Sequence, residues 1–358
     1  MTYKNRQNTD FINVLSIIAP GTPLREGLEN ILRAKTGALI VISSSPEVLK
    51  ITNGGFKINS EFTPANLYEL AKMDGAIILS DDAKQILYAN TQLTPDSEII
   101  SNETGIRHRT AERVAKQTGA LVVSISQRRN IITLYKGSIK YILRDINVIL
   151  NKANQAIQTL DKYKAVLEKA LNNLSALELE NIVTMFDVAT VLQRTEMVLR
   201  IVEEIENYIV ELGNEGRLVS MQLDELVADV EREGFLVCKD YLVENDERTS
   251  ETVFETMSEF NSEELLNLTN FSRALGYSGG VSTLEQPLMP KGYRILNKIP
   301  RLPLSVIENL VNEFKSLQKI MNATIEELDE VEGIGEVRAR AIKEGLLRIR
   351  EQVVLESY

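Results

Sequence analysis

Three short apolar runs constrain this chain more than anything else in it. Ala38-Leu-Ile-Val-Ile42, Ala76-Ile-Ile-Leu79 and Ala120-Leu-Val-Val123, continuing to Ser126, are strand-sized and almost free of polar residues. Strands buried on both faces read this way, and such strands need a sheet with helices packed on each side. The intervening stretches supply the helices. Pro23 opens one through Leu24–Lys35, because proline suits a first turn, and Gly37 stops it. Thr63-Pro64 starts another through Lys72, broken at Asp74-Gly75, and Thr110–Gln117 is a third, closed by Gly119. Asn53-Gly54-Gly55 and Gln127–Asn130 read as turns, with a further strand at Ile131–Tyr135. Residues 1–145 are therefore expected to form an α/β domain with its sheet flanked by helices.

From residue 146 the period changes. Ile146, Ile149, Ala153, Ile157, Leu160, Leu167 and Leu171 recur near every 3.5 residues, the spacing of one helix face. A second helix is expected from about Val183 to Leu212, with Val191, Val198, Val202, Ile205 and Ile209 on one face, and a third over Val219–Val230. Residues 146–290 thus read as an all-α spine, with 244–263 as an acidic loop or linker. Residues 291–358 read as a separate helical module punctuated by Pro300 and Pro303. Thr324-Ile-Glu-Glu327 is a capping box, and Val331-Glu-Gly-Ile-Gly335 parts two helices, the second being Glu336–Arg350.

Charge narrows the search for ligands. The net charge of the 358 residues is −11, but it is unevenly spread. Residues 1–150 hold 18 Lys and Arg against 14 Asp and Glu, 151–290 hold 11 against 26, and 291–358 hold 11 of each. The acid sits in the middle, so the two ends are the places to seek anionic partners. Met1–Asp10 is polar and does not read as a secretory signal. No apolar run approaches the ~18 residues of a bilayer span, so no membrane partner is expected. Cys238 is the only cysteine, which rules out an internal disulfide and suits a reducing cytoplasm.

The usual phosphate signatures are missing. There is no Walker A pattern and no Gly-x-Gly-x-x-Gly after a strand. One His and one Cys leave little material for a Ser-His-Asp triad or a His-rich metal site. The single histidine, His108, lies in Gly105-Ile-Arg-His-Arg-Thr-Ala-Glu-Arg113 at the start of a predicted helix. Helix starts favour acidic residues, yet this first turn carries Arg107 and Arg109. An arriving phosphate chain would resolve that conflict; a solvated basic loop, or arginines paired with the acidic helices, is the plainer alternative. Ser126-Gln-Arg-Arg-Asn130 is a second basic cluster at a strand end, with Arg128 and Arg129 as planar phosphate donors, or only a charged turn. Asp74-Gly75 offers a carboxylate for a divalent metal or a hydroxyl, or only a turn.

Taken together, these segments resemble one family. Lys72-Met-Asp-Gly-Ala-Ile-Ile78 resembles the Asp-Gly-Ala motif of the diadenylate cyclase family, and Gly105-Ile-Arg-His-Arg-Thr110 resembles its Arg-His-Arg motif. The two stand about thirty residues apart in the right order, with Ser126-Gln-Arg-Arg129 following. In the tail, Leu328-x-x-Val331-x-Gly333-Ile334-Gly335-x-x-x-Ala339 resembles a helix-hairpin-helix. Its glycines would let the backbone approach a DNA phosphate at the next helix start. Gly333, Ile334, Gly335, Arg338 and Arg340 are the candidate DNA contacts, and a packing turn between helices is the alternative.

Cyclase domain, spine and hairpin tail in this order are similar to the DNA-scanning members of that family, over essentially the whole chain. The resemblance implies condensation of two ATP into cyclic di-AMP and two pyrophosphates, with Mg²⁺ or Mn²⁺ as cofactor. It implies a homo-octamer whose cyclase domains face each other in pairs, in the bacterial cytoplasm at the nucleoid. Branched or damaged DNA on the tail would inhibit synthesis. By resemblance, Asp74 and Leu93 seat the adenine and Gly75 lets the ribose approach. Arg107, His108, Arg109, Thr110, Ser126, Arg128 and Arg129 hold phosphates, and Asp74 serves the attacking hydroxyl or its metal. Many relatives have Thr where Ile106 stands, so Ile106 is assigned a backbone role only. Two other classes fit the same motifs: a DNA-junction-binding structural protein with a regulatory nucleotide site, and a different nucleotidyltransferase or ATPase.

Overall fold

The computed structural model describes residues 14–243 and 248–356. The polar segment Met1–Asp10 and part of the expected acidic linker, 244–247, lie outside them. The chain divides into two compact units, one of residues 1–154 with 206–220 and one of 155–205 with 221–358.

The first unit is built on a mixed sheet in the order β2-β5-β4-β1-β6-β7-β8, with β3 also paired to β5. The three apolar runs form its centre: β1 (Ala38–Ile42), β4 (Ala76–Leu79) and β6 (Leu121–Ser126). β1 runs parallel to β4, with Leu39 opposite Ala76, and antiparallel to β6, with Leu39 opposite Ser124. Around them lie β2 (Thr52–Asn53), β3 (Phe56–Glu61), β5 (Gln85–Leu93), β7 (Ile131–Lys136) and β8 (Ile139–Ile142). Side chains alternate across a strand, and both faces are covered as expected. Ala38, Ile40, Ile42, Ile77 and Leu79 pack with Leu24, Leu28 and Ile31 of α1 (Pro23–Arg33). On the other side Leu39, Val41, Ala76, Ile78 and Val122 form a second core with Ala111, Val114 and Ala115. Each fully buried Leu, Ile or Val contributes roughly 1.5–3 kcal/mol, which pins the register, since a one-residue slip would turn every side chain over.

Capping residues set the helix starts. Thr22 accepts a bond from the Arg25 amide at the head of α1, and Ser45 caps α2 (Pro46–Lys50). Thr63 caps α3 (Pro64–Leu70). α4 (Ile106–Thr118) begins four residues before the expected Thr110 and ends on Gly119, in the left-handed conformation at φ 68°.

The first spine helix is longer than the period suggested, and the second and third lie close to their expected bounds. α5 covers Ile146–Glu180 and α6 covers Met185–Leu212, followed by α7 (Arg217–Val227) and α8 (Val230–Tyr241). Ile149, Ala153, Leu160, Leu167 and Leu174 make the buried stripe of α5. The expected linker is corrected by the structure: its described part holds α9 (Ser250–Ser258) and α10 (Ser262–Leu266), followed by α11 (Leu268–Ala274). The reason is local. Thr249 with Thr252, and Asn261 with Glu264, form reciprocal capping boxes that satisfy the first amides of these polar helices.

In the second unit, α12 (Tyr293–Asn297), α13 (Leu304–Phe314), α14 (Leu317–Asn322), α15 (Ile325–Asp329) and α16 (Glu336–Glu356) share one core. Ile295, Ile307, Leu310, Leu328, Ala339 and Ile342 are fully buried in it. Beside it Arg294, completely buried, donates from Nε to Glu178 Oε1 at 3.3 Å and from Nη2 to Ser175 Oγ at 3.0 Å. Tyr241 donates its hydroxyl to the same Glu178 oxygen at 2.8 Å. Asp240 accepts the amides of Gly292, Tyr293 and Arg294 at 2.7, 2.7 and 3.0 Å, capping α12.

Candidate nucleotide-binding site

The motifs converge at one end of the sheet. A cleft of about 860 Å³ is lined by Gly75 and Ala76 at the head of β4, by Thr91–Leu93 at the end of β5, and by Leu39. Glu103–His108 and Thr110, leading into and starting α4, close one side, and Ile125–Arg129 at the end of β6 and in the turn after it close another. Segments far apart in sequence meet here because β1 pairs with both β4 and β6, which sets Ala76 and Ser124 on either side of Leu39.

Of the sequence candidates, Gly75, Leu93, Ile106, Arg107, His108, Thr110, Ser126, Arg128 and Arg129 line the cleft. Asp74 and Arg109 are not among the lining residues. Asp74 is exposed in the turn before β4. Arg109 is exposed and donates from Nε to the carbonyl of Glu103 at 3.3 Å, so it fastens the loop that leads into α4. Ile106 is 84% exposed, which agrees with a backbone role.

The start of α4 is electrostatically unusual. Gly105 at the N-cap supplies no side-chain acceptor, and the first turn holds no acid. The positive end of the helix therefore adds to Arg107, Arg128 and Arg129. Arg107 lies across Gly37, where any Cβ would collide with its guanidinium. The one carboxylate among the lining residues is Glu103, and it is already engaged. Lys140 Nζ lies 2.5 Å from Glu103 Oε1, and the Tyr135 hydroxyl donates to the same oxygen at 2.9 Å. Burial pushes the Glu103 carboxyl up, but these two donors outweigh it and hold it below the usual range. Tyr135 also meets His108 Nδ1 at 3.0 Å. Burial, then Glu103, drive the Tyr135 phenol upward. His108 is lowered, chiefly by burial, with Arg129, Lys140 and Arg107 adding and Glu103 opposing.

Sequence reasoning missed Glu103, Tyr135, Lys140, Thr91 and Gln92. No motif marks them; only the pairing of β6 with β7 and β7 with β8 carries Tyr135 and Lys140 to the helix start.

Among the described residues no three His, Cys, Asp or Glu side chains cluster as a resident metal site. Asp74 is a single carboxylate. That donor set suits a hard divalent cation held mainly by substrate phosphates, which commonly takes one or two carboxylates from the protein.

In the tail, the capping box of α15 is present, Thr324 and Glu327 bonding each other's amides. Gly333 has φ 83°, as a tight turn between α15 and α16 requires. Ile334 contributes to the hairpin from inside. Its side chain is buried in the tail core and its amide bonds the Val331 carbonyl at 3.0 Å, so it holds the hairpin together. Arg338 donates back to the Gly333 carbonyl, and Arg340 pairs with Glu336 on the exposed face of α16. A Cβ on Gly335 would meet nothing within 4 Å.

Family comparisons agree with this layout. Residues 25–139 match the model described as DisA bacterial checkpoint controller nucleotide-binding, and 143–284 match the DisA bacterial checkpoint controller linker region. Residues 316–345 match the helix-hairpin-helix motif. The DNA integrity scanning protein DisA of Carboxydothermus hydrogenoformans is 63% identical over 338 residues, 94% of this chain and 96% of that one. Its counterpart in Clostridium botulinum strain Langeland is 59% identical over 351 residues, 98% of this chain and 99% of that one. The chain belongs to the DisA family. Membership gives the enzyme class, a diadenylate cyclase of the nucleotidyltransferase type, and gives the DisA tail its helix-hairpin-helix. No helix among the described residues is long and apolar enough to cross a membrane.

Proposed function

We propose that this chain condenses two ATP molecules into cyclic di-AMP and two pyrophosphates, and that its hairpin binds branched or damaged DNA and so restrains synthesis. The carrying observation is the uncapped, acid-free start of α4 with Arg107, Arg128 and Arg129 around it. That arrangement costs free energy unless a polyanion occupies it, and a triphosphate supplies one. The division into a cyclase domain (1–145), a helical spine (146–290) and a DNA-binding domain (291–358) goes with this reading.

The product holds two adenylates joined by two equal linkages, whereas one cleft suits one nucleotide. Two copies related by a two-fold axis give each ribose 3′-hydroxyl an α-phosphate on the facing nucleotide. Each 3′ oxygen bonds the opposite α-phosphorus. The bond from that phosphorus to the bridging oxygen breaks, and pyrophosphate leaves with the electron pair. Asp74 is assigned to the hydroxyl and its proton. Gly75 and Leu93 seat the ribose and base; Arg107, His108, Thr110, Ser126, Arg128 and Arg129 hold the phosphates. Positioning and charge supply most of the rate in such transfers. Mg²⁺ or Mn²⁺, held by Asp74 and the phosphates, would neutralise the departing pyrophosphate. An octamer built from such facing pairs, working in the bacterial cytoplasm at the nucleoid, is part of the same reading.

The test incubates the purified chain with ATP and Mg²⁺, with and without a branched DNA duplex. Cyclic di-AMP that falls as DNA is added is the expected result. ADP as product would make the chain an ATPase. DNA binding without turnover would make it a structural protein whose nucleotide site is regulatory.

A further inference from the structure

We propose that Glu103 and Tyr135 fix the protonation state of His108, so that nucleotide binding draws one proton onto His108 Nε2. The inference rests on the cleft being a nucleotide site, but its first half concerns the empty protein alone.

The argument follows the hydrogens. Glu103 is ion-paired with Lys140 and, as an anion, can only accept. Tyr135 has one hydroxyl proton and meets both Glu103 Oε1, at 2.9 Å, and His108 Nδ1, at 3.0 Å. The proton must go to the carboxylate, because two acceptors facing each other without a hydrogen would repel. The phenolic oxygen can then only accept from His108, so Nδ1 carries the ring hydrogen. In the neutral ring the lone pair is therefore on Nε2. His108 is 9% exposed, and Nε2 is buried with no partner in the protein.

A bare Nε2 is wrong for a phosphate, which also offers only lone pairs. A protonated Nε2 is right for one, and gives a charge-assisted bond. The groups around the ring decide when that proton arrives. They are Glu103 on the loop, Arg107 on its own helix, Arg129 in the β6–β7 turn, Tyr135 on β7 and Lys140 on β8. Burial and the three cations keep the ring neutral while the cleft is empty. A triphosphate offsets the cations and favours the imidazolium. Tyr135 and Glu103 are thus positioning residues: they act through His108, and determine that it offers Nε2 as an acceptor when empty and a donor when loaded.

His108 is the only histidine in the chain, so a tag-free protein labelled with ¹⁵N-histidine gives one imidazole to observe. The probe is an ATP analogue with a methylene group between the α and β phosphorus atoms. The empty protein should show hydrogen on Nδ1 and a bare Nε2 near neutral pH. The loaded protein should show both nitrogens protonated, and calorimetry in two buffers of different ionisation heat should register uptake of one proton. Above about pH 7 the dissociation constant should rise by close to tenfold per pH unit, the limit for one linked proton. Tyr135→Phe lets the ring carry its hydrogen on Nε2 and donate without gaining a proton, so this slope should fall to about threefold or less. A purely structural Tyr135 would weaken binding equally at every pH and leave the slope intact. Hydrogen on Nε2 in the empty protein, a bare Nε2 in the loaded one, or an unchanged slope in Tyr135→Phe overturns the proposal. No binding heat at any pH would overturn the nucleotide reading and the proton uptake with it, while the empty-state spectrum still decides the tautomer by itself.

Discussion

The carbonyl oxygen of Thr91 lies 2.9 Å from the point where a Cβ would stand on Gly75. The Thr91 amide nitrogen and the Asn90 carbonyl carbon crowd the same point, and Gly75 has φ 95°. β5 therefore packs against the bare backbone of the turn into β4. Gly75→Ala must adopt a left-handed backbone and push β5 away, a strain of ~1–3 kcal/mol before any clash. The first unit should melt several degrees lower, with weaker ATP binding; thermal unfolding with and without ATP checks both. An alanine variant equal to wild type in both would show that β5 yields there without cost.

The Arg-His-Arg turn divides its labour. Arg107 lines the cleft, whereas Arg109 holds the Glu103 carbonyl. A charge-assisted bond contributes ~1.5–3 kcal/mol, so Arg107→Ala should weaken ATP binding by at least about tenfold. Arg109→Ala should cost less, since it acts through the loop. Calorimetry on the two single variants separates them, and equal losses would remove the distinction.

Asp74→Asn is close to isosteric, and the side chain is exposed, so fold and assembly should survive. Cyclic di-AMP formation should fall by orders of magnitude while the protein elutes as wild type on a sizing column. Wild-type turnover by that variant would release Asp74 from its role.

The hairpin offers a clean substitution. Gly333 needs its positive φ, but Gly335 does not, and a side chain there meets only open space. Gly335→Leu should keep the tail folded, place bulk where a phosphate would approach, and abolish gel-shift binding of branched DNA. Basal synthesis should be unchanged and no longer inhibited by DNA. In wild type, binding should weaken steeply with salt as counterions return. Undiminished DNA binding by the leucine variant would make this hairpin a packing turn.

Asp240 links the second unit to pH. Burial and the charge of Glu178 push its carboxyl up to about 7, against the three amides that it accepts. The folded value lies above the ordinary carboxyl value of 3.8, so the unfolded chain releases this proton first. The stability contributed is complete below about 4 and is lost as pH rises through about 7. Hydrogen exchange at the amides of residues 292–294 should therefore be slower at about pH 5.5 than at about pH 8, after correction for intrinsic rates. Asp240→Asn, uncharged throughout, should flatten that difference; a slope that persists would assign it to another group.

Legibility in the sequence followed burial. β1, β4 and β6 were readable because both faces are covered, so apart from Ser124 and Ser126 their residues are apolar. β3 and β8 were not, since most of their residues are exposed and their composition is that of loops. β5 was obscured by the consecutive polar residues Asn90-Thr91-Gln92 near its end. The helices at Ser250–Ser258 and Ser262–Leu266 were hidden by acidity, although Asn261-x-x-Glu264 is itself a helix-start signal. At the site, Gly75, Arg107, His108, Ser126, Arg128 and Arg129 line the cleft from within motifs. The pair beside His108 does not, because Glu103 on the loop before α4 meets Tyr135 of β7 only in the fold. Ile334 shows the reverse case: a residue inside a motif whose side chain serves the core.

The cleft walls come from stretches around residues 75, 92, 105 and 127, with little but the sheet to join them. A molecule seated among them works as a cross-brace. A ligand at about a hundred times its dissociation constant adds ~2.7 kcal/mol to the folded state, a sizeable share of a domain's margin. In a cell, a variant that loses its grip on the nucleotide would thus also be opened and degraded sooner. Its shortfall in product would combine slower chemistry with fewer surviving copies, and only a measurement per molecule of protein can tell the two apart.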